Sequence, residues 1–254
     1  MRVTIIGAGA MGGAIGRGLL RAGFPAKDLT MSNPTPCKLE TFGREGVTVT
    51  TDNREATRRG ELIILAVKPW IVPEVIEEIK DELDARRHTL VSVAAGVSGE
   101  SIATQVSCGV YIVIPNTAAV LGQSMTFITL VRESDTSAVK SLFGLVGEVM
   151  EVEEKLLPAA TTLASCGIAY AMRYIRAAME GGVELGFRAS AAQAIVAQTV
   201  KGAAALVSCD GAHPETEIDK VTTPGGLTIR GLNEMERAGF TQAVIRGLKA
   251  GIKQ

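Results

Sequence analysis

The 254-residue sequence predicts an α/β fold, a doubly wound, mostly parallel sheet followed by an all-α region. Three observations predict it. The apolar, β-branched run Val3-Thr4-Ile5-Ile6 leads into a G-x-G-x-x-G turn on Gly7, Gly9 and Gly12, and a helix of small residues follows. Strand-like and helix-like stretches then alternate to about residue 152, the pattern of βαβ units. From residue 153 onward the strands stop, and long stretches rich in Ala, Leu, Ile and Val recur at helical spacing. The expected domains are therefore residues 1–152 and residues 153–254.

Each glycine of the first turn has its own task. Gly7 permits the tight turn, Gly9 lets backbone approach a pyrophosphate, and Gly12 lets the helix pack close to the strand. The helix N-terminus offers free N–H groups and a positive dipole end to phosphates. A lone G-x-G-x-x-G is weak evidence and is compatible with a purely structural turn. Here a strand precedes it and a helix follows, so Gly7, Ala8, Gly9, Ala10, Met11 and Gly12 are candidate dinucleotide contacts of a Rossmann domain.

The remaining elements follow in order. Residues 29–33 read as the second strand, ending in Ser32-Asn33-Pro34-Thr35 without the carboxylate that would bind a ribose 2′-OH. Neutral Ser32 and Asn33 tolerate a 2′-phosphate, which favours NADP(H) and still allows NAD(H). Residues 47–50 read as a third strand, and Asn53 is expected to cap a short helix containing Glu55 and Ala56. The continuous apolar run 62–67 has the character of a central parallel strand. Ligands bind outside the carboxyl ends of such strands, which places Ala66, Val67, Lys68 and Pro69 beside the cofactor. A solvated loop lysine is the plainer reading of Lys68.

Residues 71–83 form an amphipathic pattern, and 89–94 a fifth strand. Ala94, Ala95 and Gly96 at its end are small enough for backbone to approach a nicotinamide. Residues 110–114 read as a sixth strand running into Pro115-Asn116-Thr117, where Asn116 is either a ligand to the nicotinamide ribose or substrate, or a turn former. A strand over 125–131, a helix over 138–146 and a strand over 148–152 complete the first region. Beyond it, 155–186 and 189–207 are helical, with small-residue faces such as Ala177, Ala178, Gly181 and Gly182 suited to a partner subunit. One loop, Asp219 to Ile229, interrupts them. Its hydroxyls, Pro224, Gly225 and Gly226 lead into a helix beginning near Thr228, a place for a carboxylate as well as an ordinary helix start.

Composition bounds the partners. A net charge of −1 without a basic run argues against nucleic acid. No apolar run approaches the roughly 20 residues that span a bilayer, so no membrane is expected. Cys37, Cys108, Cys166 and Cys209 are scattered without a C-x-x-C pair, which fits a reducing cytosol and no metal site. The N-terminus enters the first strand directly, so a cytoplasmic location without a signal peptide is expected. His88 and His213 are the two histidines, both expected at the surface, which limits acid–base chemistry.

These residues carry a resemblance. The chain resembles pyrroline-5-carboxylate reductase over its full length. The likeness rests on residues 6–12, on Leu65-Ala66-Val67-Lys68-Pro69, on Ala94-Ala95-Gly96-Val97, on Pro115-Asn116-Thr117, on Ala169-Tyr170 and on residues 181–186. Above all it rests on Asp219 to Ile229, a loop far more specific than the glycine turn. The resemblance implies a Rossmann domain binding NAD(P)H, a helical domain forming a homodimer or a higher homo-oligomer built from it, and the last step of proline biosynthesis. It implies cofactor contacts at Asn33, Asn53, Val67, Lys68 and Ala94. It implies that Thr223, Gly225, Gly226, Leu227 and Thr228 hold the cyclic imine carboxylate. The chain departs from the family at Ser165-Cys166-Gly167-Ile168, where S-G-P is usual after a small residue, at Leu227, where a smaller residue is common, and at Lys220.

The expected chemistry is hydride addition to the C=N of 1-pyrroline-5-carboxylate, with Thr228 as the candidate catalytic residue, relaying a proton to the ring nitrogen. A protonated imine is already electrophilic, so scarce histidines suit it better than they suit a ketone. The alternatives are a reductase of another cyclic imine acid, a hydroxyacid dehydrogenase using Tyr170 or Lys201, and an inactive NADP-binding module. Residues 181–186 lack the lysine that such dehydrogenases carry in a glycine-led helix, and an inactive module would not require the Thr223–Thr228 loop.

Overall fold

The computed structural model describes residues 1–133, 135–209 and 211–252. The chain forms two compact units, the first ending at Ser165 and the second beginning at Cys166.

The first unit is built on one sheet. Its strands are β1 (Val3–Ile6), β2 (Leu29–Ser32), β3 (Thr48–Thr50), β4 (Leu62–Leu65), β5 (Thr89–Ser92), β6 (Gly109–Ile114), β7 (Ser124–Arg132) and β8 (Gly147–Glu151). Their order is β3-β2-β1-β4-β5-β6-β7-β8, and neighbours are parallel except β6 and β7. The helices are α1 (Ala10–Arg21), α2 (Glu40–Arg44), α3 (Asn53–Arg59), α4 (Val72–Ile79), α5 (Gly99–Ala103), α6 (Thr136–Gly144) and α7 (Leu157–Ala160). A parallel return needs a crossover of roughly a dozen residues or more. The link from β6 to β7 is shorter and folds into a tight turn over Thr117–Leu121, closed by Gly122 at φ +70°, so β7 runs back antiparallel.

Alternation along the strands feeds two cores. Val3 and Ile5 of β1 and Leu62 and Ile64 of β4 pack on one face, with Ile15 and Leu19 of α1. Ile6, Ile63 and Leu65 pack on the other, with Val75, Ile76 and Ile79 of α4. Leu157 and Ala160 join this second core. Ser165 Oγ donates to the Pro115 carbonyl at 2.9 Å, so the first unit runs on past the end of β8. One close approach fixes α1. A Cβ on Gly18 would stand 2.1 Å from the Ala119 carbonyl oxygen, so only glycine lets the helix seat against that turn.

Three local readings are corrected. Asp52, not Asn53, caps α3: its carboxylate accepts from the N–H groups of Arg54 at 2.8 Å and Glu55 at 3.0 Å. Asn53 is the first helical residue, and its amide is left for other partners. Residues 155–186 are not one helix, because a π-helical segment, Thr161–Cys166, stands between α7 and the next helix. His88 is not at the surface. It is 4% exposed, and its Nδ1 accepts from the Asp84 N–H at 2.8 Å.

The second unit holds α8 (Gly167–Glu184), α9 (Ala189–Cys209), α10 (Pro214–Lys220), α11 (Leu227–Arg237) and α12 (Phe240–Ala250). The first two pair as a helical hairpin, and Gly182 lies where a Cβ would touch the Ala192 Cβ at 3.1 Å. Among the described residues of this unit only Ala192 is a fully buried apolar side chain. Ile195, Leu206, Phe240 and Val244 all stand open on the single chain. No helix among the described residues is long and apolar enough to cross a membrane.

Burial, and then the nearby Arg87 charge, hold the His88 imidazole below its ordinary value of 6.5. The unfolded chain therefore takes up the proton first, and stability is lost as pH falls below about 6.5. The carboxylates of Asp52, Glu55, Glu61 and Asp135 are held below their ordinary values by hydrogen bonds that they accept, so their contributions fade only at lower pH. The urea midpoint of the wild type should thus decline from about pH 7 to about pH 5. The His88→Asn variant, less stable at pH 7, should show a flatter profile. A level wild-type profile, or an equally steep one in the variant, would overturn this assignment.

Candidate active site

The carboxyl ends of β1, β2, β4, β5 and β6 share one edge of the sheet, because these strands are mutually parallel. The order turns outward in both directions from β1, which makes this edge the place for a ligand crevice. Gly7 leaves β1 at φ +107°, where a Cβ would meet the Ala66 carbonyl oxygen at 2.5 Å. A Cβ on Gly12 would lie 1.9 Å from the Gly7 carbonyl oxygen. The turn is thus pressed between β4 and its own helix. Gly9 differs: nothing lies within 4 Å of where its Cβ would be, so the space above it is open to a ligand. Gly9 caps α1 through backbone alone, and no side-chain acceptor or acidic residue occupies the first turn. The amides of Ala10, Met11 and Gly12 form an uncovered anion-binding end.

The tip of β2 supports this turn. Asn33 Oδ1 accepts the Ala8 N–H at 3.1 Å, and Asn33 Nδ2 donates to the Thr35 carbonyl at 3.2 Å. Ser32, fully buried, donates through Oγ to Asn53 Oδ1 at 2.7 Å, and Asn53 Nδ2 donates to Glu78 Oε2 at 2.8 Å. Ser32, Asn33 and Asn53 therefore form one polar frame at this tip. Glu78, on α4, is the carboxylate behind it that the sequence reading missed; nothing in its local spacing marks it.

Ala66 and Val67 are half-buried at the end of β4. Lys68 is exposed and caps the turn Pro69–Ile71, with its ammonium 6.0 Å from the centre of the Trp70 ring. Ala94 is buried, Ala95 is exposed, and Gly96 sits at φ +81° in open space. Asn116 is 5% exposed. Its Oδ1 accepts the Ala118 N–H at 3.0 Å and its own N–H donates to Ser124 Oγ at 3.0 Å, so much of its polarity holds the turn after β6. His213 is an exposed cap of α10, accepting the Glu215 N–H at 3.3 Å. Among the described residues no group of three or more His, Cys, Asp or Glu side chains is placed to hold a metal.

The second unit carries the other candidate element by itself. Thr222 Oγ1 closes α10 by donating to the Ile218 carbonyl at 2.7 Å. Thr223 accepts the Gly226 N–H on its carbonyl at 3.0 Å, and Gly225 takes φ +70° inside that turn. A Cβ on Gly226 would meet Thr223 Oγ1 at 2.5 Å. Helix α11 then starts at Leu227 with no side-chain cap and no acidic residue in its first turn. The amides of Leu227, Thr228 and Ile229 are thus presented as at Gly9, and the Leu227 side chain is 83% exposed. The sequence reading also missed Arg230, whose guanidinium lies against the carbonyls of Gly225 and Gly226.

Residues 154–254 match the family model for pyrroline-5-carboxylate reductase dimerisation, and residues 2–96 match that for NADP oxidoreductase, coenzyme F420-dependent. Pyrroline-5-carboxylate reductase 2 of Dictyostelium discoideum is 35% identical, the match covering 97% of this chain and 89% of that protein. Reductase 1 of the same organism is 38% identical over 97% of this chain, which spans about half, 48%, of that longer protein. The crystal structure of Plasmodium falciparum pyrroline carboxylate reductase with NADP bound superposes with a TM-score of 0.90 at 25% identity, covering 99% of this chain and 95% of that one. The chain belongs to the pyrroline-5-carboxylate reductase family.

Proposed function

We propose that this chain is an NADPH-dependent reductase of 1-pyrroline-5-carboxylate, yielding L-proline. The observation that carries the reading is the Thr223–Thr228 loop: an αL glycine leading into an uncapped helix start that is free of acidic residues, built for a small carboxylate. The first unit fits the coenzyme. The open space over Gly9 admits a pyrophosphate, and Ser32, Asn33 and Asn53 give the end of β2 a polar tip with no carboxylate of its own, the Glu78 carboxylate behind it being engaged by the Asn53 amide. A bound nicotinamide supplies the hydride. Gly7 to Gly12 hold the pyrophosphate, Ala66 to Pro69 and Ala94 to Gly96 border the dinucleotide, and Asn116 steadies the turn after β6. In the second unit the amides of Leu227 and Thr228 orient the substrate through its carboxylate. The Thr228 hydroxyl hydrogen-bonds the ring nitrogen and relays its proton.

A second reading keeps the chemistry and changes the substrate to another cyclic imine acid. It is favoured by the exposed Leu227, a bulky apolar side chain at the first position of α11. The active form is a cytosolic homodimer. Its support is the open second unit, where a groove of about 520 Å³ is lined by Tyr170, Tyr174, Ala177, Met235, Phe240 and Val244.

Purified protein should oxidise NADPH in the presence of 1-pyrroline-5-carboxylate, with a higher kcat/KM than for NADH. Tight NADPH binding without turnover of this imine, followed by turnover of a different cyclic imine acid, would establish the second reading instead. Thr228→Ala should lower kcat/KM on the order of 10²-fold with NADPH affinity retained, and unchanged kinetics would remove Thr228 from the mechanism. Replacing Phe240 by Glu in the groove should shift the protein from dimer to monomer in sedimentation; a dimer that persists would move the interface elsewhere.

A further inference from the structure

Arg230 lies one turn into α11. Its Nη2 donates to the Gly225 carbonyl at 3.0 Å and its Nε to the Gly226 carbonyl at 3.4 Å. These are the two carbonyls that follow the bend in the loop where Gly225 takes φ +70°. A carbonyl that swung toward a bound carboxylate would oppose it with a negative dipole, and the peptide flips that do this are easiest at glycine. Arg230 ties both oxygens to one rigid fork, and because a carbonyl and the next residue's N–H point opposite ways across a trans peptide, the held Gly226 oxygen leaves the Leu227 amide, the first of α11, facing the other way. Its charge is also uncommitted. Among the described residues, ion pairs of this unit join Arg176 with Glu180, Lys220 with Glu217 and Arg237 with Glu234, and give Arg230 no carboxylate.

We infer that Arg230 is a positioning residue, holding the Gly225-Gly226 carbonyls so that the start of α11 stays formed for the substrate carboxylate. The inference rests on the reading of the Thr223–Thr228 loop as the carboxylate site. Arg230 touches no reacting atom in this scheme. It acts on ground-state and transition-state binding alike, so it governs KM and leaves kcat nearly unchanged. A lysine keeps the charge and loses the fork, so it does not substitute.

The test compares 1-pyrroline-5-carboxylate with 1-pyrroline, which has the same C=N and no carboxylate, using wild type, Arg230→Met and Arg230→Lys. Both variants should raise KM for 1-pyrroline-5-carboxylate about tenfold, the effect of one charge-assisted contact, with kcat within about twofold. Kinetics with 1-pyrroline, NADPH binding by fluorescence and the thermal midpoint should stay at wild-type values. If Arg230→Lys restores the wild-type KM, a point charge suffices and the positioning role is overturned. Equal losses on both imines, or a fallen thermal midpoint, overturn it as well. A wild type that prefers the carboxylate-bearing imine, together with an Arg230→Met variant that keeps the same preference, overturns the inference alone. A wild type indifferent to the carboxylate overturns the reading of the loop, and the inference with it.

Discussion

The contact on which the first unit depends is the approach of the Gly7 turn to the end of β4. The carbonyl oxygen of Ala66 and that of Gly7 occupy the positions that Cβ atoms at Gly7 and Gly12 would need. This closeness seats α1 against the sheet, and it puts the uncovered start of α1 directly beyond the end of β1. Packing and ligand binding are one geometric fact here. The same absence of side-chain atoms that lets backbone meet backbone leaves the space above Gly9 empty. Gly18 extends the constraint along the helix, where the Ala119 carbonyl presses on the opposite end of the same small-residue face. A helix with larger side chains would stand away from the sheet and carry its N–H groups out of reach.

Much of this was legible in the sequence because buried parallel strands are written as continuous apolar runs. Leu62 to Leu65 and Val3 to Ile6 could be placed without knowing their neighbours. The glycine turn and the Thr223–Thr228 loop were legible for a related reason: glycine and proline record local backbone geometry directly. What could not be read were the partnerships across distance. Asp52 and Asn53 are adjacent and both are good caps; the choice fell to Asp52 because the Asn53 amide joins Ser32 to Glu78. His88 looked like a polar residue in a turn; residues 84–87 of that turn are exposed, and the burial of this one ring is invisible in local pattern. Arg230 sits on a helix whose surface carries many charges, and only the fold brings its guanidinium back to the two glycine carbonyls.

The two candidate elements solve one electrostatic problem with different materials. At Gly9 the helix start stays uncovered because small residues surround it and Asn33 braces the turn from below through the Ala8 amide. At Gly226 the helix start stays uncovered because Thr223 and Arg230 take up the loop's spare hydrogen-bonding groups. Neither helix has an acidic residue in its first turn. That absence costs each helix a favourable interaction with its own dipole, on the order of 0.3–1 kcal/mol. An anion that binds there recovers it, so part of the affinity for ligand is stability that the free protein forgoes.

The openness of α8 to α12 bears on how the molecule is made. A helical unit whose fully buried apolar side chains come down to Ala192 among the described residues has little core to hold it in isolation. Its order then depends on encounter with a covering surface, and encounter depends on how many molecules share the volume. Dilution, or slow synthesis, leaves such helices exposed to proteases and to one another for longer than the sheet beside them in sequence. Where that covering surface is a second copy of the chain, abundance sets how much of the second half is covered at any moment.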